Sequence, residues 1–130
     1  MLALGLAGAV LILVGCSAED YAREEALPLP RSAEEVRAER LLNEFSANLD
    51  GGDFAAACQQ MTRVLQLRYA IQSGRRNGGC ESAMGTIADA GGLGRIEVQG
   101  TDQTKRGIWA DAGKAEFLIR YDRIADIRQR

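Results

Sequence analysis

From residue 32 onward the apolar positions recur first at helical spacing and later in strict alternation with polar ones. Ser32-Ala33-Glu34-Glu35 has the spacing of a capping box, in which the Ser hydroxyl and the Glu35 carboxylate each satisfy a backbone N–H at a helix start. Behind it Val36, Leu41, Leu42, Phe45 and Leu49 gather on one face, and Glu34, Arg37, Glu39, Arg40 and Glu44 cover the other. Asp50-Gly51-Gly52 ends the run, so the pattern predicts a helix over 33–50. Asp53 caps a short second helix carrying Phe54, Ala57, Cys58 and Met61 inward, and Thr62 caps a third that runs through Val64, Leu65, Arg68, Tyr69 and Ile71 to Gly74. Ser73 to Gly79 reads as a loop. From Cys80 a further helix brings Ala83, Met84, Ile87 and Ala88 together and stops at Gly91-Gly92.

After Gly94 the period changes to two, with Ile96 and Val98 alternating against Arg95, Glu97 and Gln99, the signature of a half-buried strand. Further strands are expected over 108–112, over 115–121 with Ala115, Phe117, Ile119 and Tyr121 on one face, and over 124–128. The turns at Ala112-Gly113 and around Asp122-Arg123 are short, which favours an antiparallel meander. Helices followed by such a sheet predict an α+β domain over residues 32–130, with the N-terminal helices packed on one face of a curved antiparallel sheet.

The chain upstream has a different character. Met1 to Val14 is uncharged and apolar, too short to span a bilayer, which takes about 20 residues, but of the length of a signal-peptide h-region. No Lys or Arg precedes Arg23, so a start upstream of Met1 is expected. Leu13-Val14-Gly15-Cys16 resembles the lipobox of bacterial lipoproteins. The resemblance implies that 1–15 is a cleaved signal peptide and that Cys16 becomes the acylated N-terminus. Such a chain would be extracytoplasmic and held on the cell membrane by its acyl chains, each buried CH₂ contributing about 0.8 kcal/mol. The polar stretch up to Arg31, with the chain's only prolines at Pro28 and Pro30, reads as a tether that could extend up to ~50 Å.

Composition acts mainly by exclusion. The chain has 130 residues, enough for one small domain, and its net charge of −2 with 26% charged residues favours neither disorder nor nucleic-acid binding. The absence of His removes the commonest general base and metal ligand, along with every His-activated Ser or Cys nucleophile. With Cys16 acylated, Cys58 and Cys80 remain as an even pair in an oxidising compartment, and a disulfide between them is expected to contribute roughly 3 kcal/mol. Neither a CxxC nor a zinc ligand set accompanies them.

Leu41-Leu42-Asn43-Glu44-Phe45 leads into Asn48-Leu49-Asp50-Gly51-Gly52-Asp53-Phe54 and on to Cys58, which resembles the opening of secreted NTF2-like (SnoaL-like) lipoproteins; Glu116 to Arg128 is similar to the final hairpin of that superfamily. The resemblance implies a pocket between sheet and first helix, for which Phe45, Tyr69, Phe117, Ile119 and Tyr121 are the candidate lining residues. Dimerisation through the open sheet face is common in that fold. Some relatives use the pocket catalytically, which takes a carboxylate base and a neutral donor in apolar surroundings. Tyr69 and Tyr121 with Asp89, Asp111 or Asp126 are the candidates, each of which also has an ordinary structural reading. No catalytic residue, metal or cofactor is therefore assigned. Arg75-Arg76, with Arg63 and Arg68, could meet anionic lipid headgroups or cell-wall polymer, or be a solvated loop. Trp109 would anchor a protein partner if exposed and fill the core if not. Gly91-Gly92-Leu93-Gly94 precedes a strand and lacks a Lys, so it is no phosphate loop. The expected role is a non-catalytic binding or protein-interaction module of the cell envelope, with an envelope protein or small apolar ligand as partner. The alternative is a pocket enzyme or hydrophobic-ligand carrier.

Overall fold

A computed structural model describes residues 31–75 and 77–130. The expected signal peptide, the acylation site Cys16, the tether up to Pro30 and Arg76 lie outside the described residues. Among the described residues four helices, α1 (Ala33–Asp50), α2 (Phe54–Gln59), α3 (Arg63–Ser73) and α4 (Gly79–Asp89), precede four strands, β1 (Gly100–Thr104), β2 (Gly107–Asp111), β3 (Ala115–Arg120) and β4 (Arg123–Gln129). The strands form an open antiparallel sheet in chain order. The α+β class is thus as the sequence implies.

Three of the four described helices start at a short polar side chain; α4 follows Gly78 and has no side-chain cap. The oxygens of Ser32, Asp53 and Thr62 accept hydrogen bonds from the backbone N–H groups of Glu35, Ala56 and Leu65 respectively. At α1 only this half of the expected capping box is seen. The Glu35 carboxylate lies instead 3.6 Å from the Arg31 guanidinium, an opposite charge that competes for it. Gly79 matters for packing rather than for capping, because a Cβ there would lie 2.7 Å from Ala70 Cα, so the α3–α4 crossing requires a hydrogen at this position.

The helices bury Leu42, Phe45 and Leu49 from α1, Ala57 and Cys58 from α2, Leu65 from α3 and Cys80 and Met84 from α4 against Ala110, Phe117 and Ile124 of the sheet. Two main-chain bonds fasten this layer to the sheet edge: Thr62 N–H donates to Ile124 O and Ile124 N–H to Gln60 O, each at 2.8 Å. Between them Met61 forms a single parallel bridge to Ile124, a pairing with no signature in either local sequence. The α2–α3 junction thereby covers part of the β4 edge, which would otherwise present unpaired backbone groups.

The largest departure from the sequence reading is at residues 95–99. This segment is extended and alternates as expected, with Ile96 and Val98 buried and Arg95, Glu97 and Gln99 exposed, but it is not a strand. Its partner is a row of polar side chains on α1. Asn43 accepts from Ile96 N–H at 2.9 Å and donates to Ile96 O at 2.8 Å, so its amide does what a neighbouring strand's peptide would do. Glu39 accepts from Val98 N–H at 3.0 Å, Arg31 donates to Val98 O at 3.1 Å, and the buried Ser46 hydroxyl donates to Gly94 O. Glu39, Asn43 and Ser46 stand at i, i+4 and i+7, one stripe of the helix beside its apolar stripe. Strand pairing begins only at Gln99, whose N–H donates to Asp111 O at 2.7 Å, and the first strand is the polar segment 100–104. Arg31, placed in the tether by its position after Pro30, belongs to this ladder.

The last hairpin turns on Tyr121 and Asp122, at φ of 53° and 56°. Two consecutive positive φ values are the mark of the type I′ turn that matches strand twist, here made without glycine.

Two outcomes follow. Asn43→Ala removes both bonds to Ile96 and leaves that peptide without a partner, so the urea midpoint should fall by the equivalent of about 2 kcal/mol, with the helical circular dichroism retained. Arg31 foremost, then Val98 N–H, hold the Glu39 carboxyl below its ordinary value by stabilising the charged form. Its stabilisation is complete above the unfolded carboxyl pKa of about 4.3 and is lost as pH falls through the lower folded value. Urea midpoints taken from pH 6 to pH 2 should therefore fall less steeply below about pH 4 in Glu39→Gln than in the parent chain.

Candidate functional site

Of the residues expected to line one pocket, Phe45, Phe117, Tyr69 and Ile119 belong to or pack against one core cluster, and Tyr121 stands outside it. Phe45 and Phe117, at 1% and 2% exposure, pack in the core between α1 and the sheet, and Phe117 also borders an open hollow of about 890 Å³ together with Arg95, Ile96, Lys114 and Ala115. Ile119 is half-buried and shares a shallow groove of about 220 Å³ with Tyr121, Leu41 and Ile108, overlooked by Glu34 and Asp122. Tyr121 is 84% exposed because the turn holds it away from the sheet, and the Arg120 guanidinium sits 5.3 Å from its ring centroid. Tyr69 is half-buried on α3; burial raises its pKa foremost, with the Asp126 charge adding to this and Arg68 opposing it.

The candidate carboxylates are placed no nearer to acid–base work. Asp89 is exposed at the end of α4. Asp111 accepts from Gly113 N–H at 2.9 Å and from Arg130 at 3.1 Å, bonds that shape the β2–β3 turn and fasten the C-terminus. Asp126 accepts from Arg68 at 2.8 Å and has Arg128 at 3.9 Å. A base of the kind considered above needs an apolar cavity that disfavours its charge, whereas these groups are solvated or paired with guanidinium. Among the described residues no group of three or more His, Cys, Asp or Glu side chains could hold a metal ion.

Trp109 is not part of the core and stands half-buried on the opposite face of the sheet. The core takes Ala110 and Phe117, so their strand neighbours Trp109 and Leu118, which pair across β2 and β3, point to the other face of the sheet. There the Arg128 guanidinium lies 4.2 Å from the Trp109 ring centroid, a cation–π contact that orients both side chains. A depression of about 510 Å³ beside Trp109 and Arg128 is walled by the carboxylates of Asp102, Asp111 and Glu116. Aromatic surface and charges of both signs in one concavity are components of a polar-rimmed contact site. The signal in the sequence was the single Trp in alternation with Ala110, which decides its face once the core side is known.

Cys58 of α2 and Cys80 of α4 bring their sulfurs to disulfide distance, 2.17 Å, with Cα atoms 6.2 Å apart. The pair lies at the floor of a hollow whose rim carries Arg63, Glu81 and Arg123. No protein-family model, curated protein or solved structure matches the chain. The described residues thus define the class of the molecule, a small α+β domain with a filled core and a cysteine pair, and its family is not assigned.

Thiol counting on the unfolded chain carrying Cys16→Ala should find no free thiol before reduction and two after it. Replacing both Cys58 and Cys80 by Ser should lower stability by about 3 kcal/mol in chemical denaturation.

Proposed function

We propose that this protein is a membrane-anchored extracytoplasmic lipoprotein whose α+β domain, of reduced NTF2-like form, is a non-catalytic interaction module of the cell envelope. The lipobox-like Leu13-Val14-Gly15-Cys16 after an apolar run supports the anchor, and the cysteine pair at disulfide distance agrees with an oxidising compartment. For the domain, the observation that carries the reading is the filled core. Phe45 and Phe117 stand where a ligand pocket of the expected kind would open, which favours the surface over an interior cavity as the place of action. The sheet face bearing Trp109 is the surface we assign to a protein partner, because it combines an aromatic anchor with polar groups able to set orientation. Helices preceding an antiparallel meander that ends in a hairpin support the NTF2-like form.

Metabolic labelling with a palmitate analogue should mark the protein in cells, and Cys16→Ala should abolish the label and release the protein from membranes. Labelling that survives the substitution removes the anchor from the proposal.

A further inference from the structure

Helix α3 leaves an apolar face without a partner among the described residues. Val64, Leu67 and Ile71 are 68%, 55% and 77% exposed. At about 100° per residue these positions fall within about 60° of one another, while Leu65 and Ala70 face the interior. Arg63 and Arg68 flank the stripe on either side, and Arg75 follows at the end of the helix. From Thr62 to Gly78 the chain holds four arginines, counting Arg76, and no Asp or Glu. Arg68 is engaged by Asp126 of β4, whereas neither Arg63 nor Arg75 has a carboxylate within ion-pair distance among the described residues. Glu81 lines the same hollow as Arg63 but is not within ion-pair distance of it. A second hollow of about 480 Å³, mostly apolar, opens between Leu67, Ala70 and Ile71 and is closed at one end by Arg75.

We infer that α3 and the turn after it dock on an anionic lipid bilayer. The charge of the segment itself points to this occupant. Thr62 to Gly78 carries arginines and no carboxylate around exposed apolar side chains, a combination complementary to acidic headgroups over an apolar layer. Three aliphatic side chains reach the acyl boundary while the flanking guanidinium groups meet phosphate, the arrangement by which interfacial helices bind. Eleven residues give a helix of about 16 Å, so the contact is shallow and needs a tether or many charges to persist. The inference goes beyond the proposed function and does not depend on acylation of Cys16.

The test uses the full chain carrying Cys16→Ala with ¹³C-labelled Ile, Leu and Val methyl groups. It is mixed with phosphatidylglycerol nanodiscs containing a nitroxide-labelled lipid. The Val64, Leu67 and Ile71 methyl signals should lose at least half their intensity, while those of Leu42 and Leu49 persist. Ile71→Ser, a change at an exposed position, should cut the loss at Val64 and Leu67 severalfold, and Arg63→Gln with Arg75→Gln should abolish the preference over phosphatidylcholine discs. Because the readout is by residue, contact made by the apolar leader does not count. Equal losses over all surface methyls, losses centred on the Trp109 face, or losses as large on phosphatidylcholine would overturn the inference. So would shifts of the three methyls that follow protein concentration without discs, which would assign the stripe to self-association. Failure here leaves the palmitate-labelling result, and the reading that rests on it, untouched.

Discussion

The extended segment between α4 and the sheet has no strand beside it, and its peptide groups must still be satisfied once Ile96 and Val98 are buried. An unpaired peptide in that position costs a sizeable fraction of the stability of a domain of this size. Helix α1 meets the requirement with side chains: Asn43 makes a two-way bond to Ile96, and Glu39, held by Arg31, reaches Val98. Much else depends on this ladder. It sets the height at which the chain enters the sheet, and hence the register in which Gly100 pairs with Asp111 and Thr104 with Gly107. It also fixes α1 over the sheet, so that Leu42, Phe45 and Leu49 meet Ala110 and Phe117.

Two other ties complete the frame. The Met61–Ile124 bridge joins the helical layer to β4, and the Cys58–Cys80 pair brings α2 to α4. With these in place the apolar side chains close on one another and leave little room between helices and sheet. Asp89, Asp111 and Asp126 are solvated or paired with guanidinium rather than enclosed, and two features on the outside stand apart. They are the Trp109 face of the sheet and the aliphatic stripe of α3, the first edged with charges of both signs, the second with arginine alone. The difference in charge is the ground on which we propose different kinds of partner for them, a protein for the first and an acidic surface for the second.

Local signals proved sound wherever the physics is local. Ser32, Asp53 and Thr62 cap the helices they were expected to cap, because a cap is satisfied within three residues of chain. The meander of β2 to β4 follows from alternation and short turns for the same reason. Errors came where a periodic pattern named a face but not its partner. Ile96 and Val98 alternate like a strand and are buried like one, yet their backbone pairs with Asn43 and Glu39. Asn43 and Ser46, poor helix formers inside a helix and three residues apart, were the available clue. The polar segment 100–104 pairs as a strand although nothing in its composition recommends it, because the β2 edge offers it bonds.

The sequence by itself determined three of the helix starts, the order of helices before strands and the pairing order of the last three strands. Each rests on spacing within one element or one turn. Only the tertiary structure decided which apolar residues are inside. Phe45 and Phe117 meet and fill the core, Val64 and Ile71 are left outside, and Trp109 goes to the open face. An apolar side chain is buried by whatever element happens to lie across from it, and that neighbour is dozens of residues away in the chain.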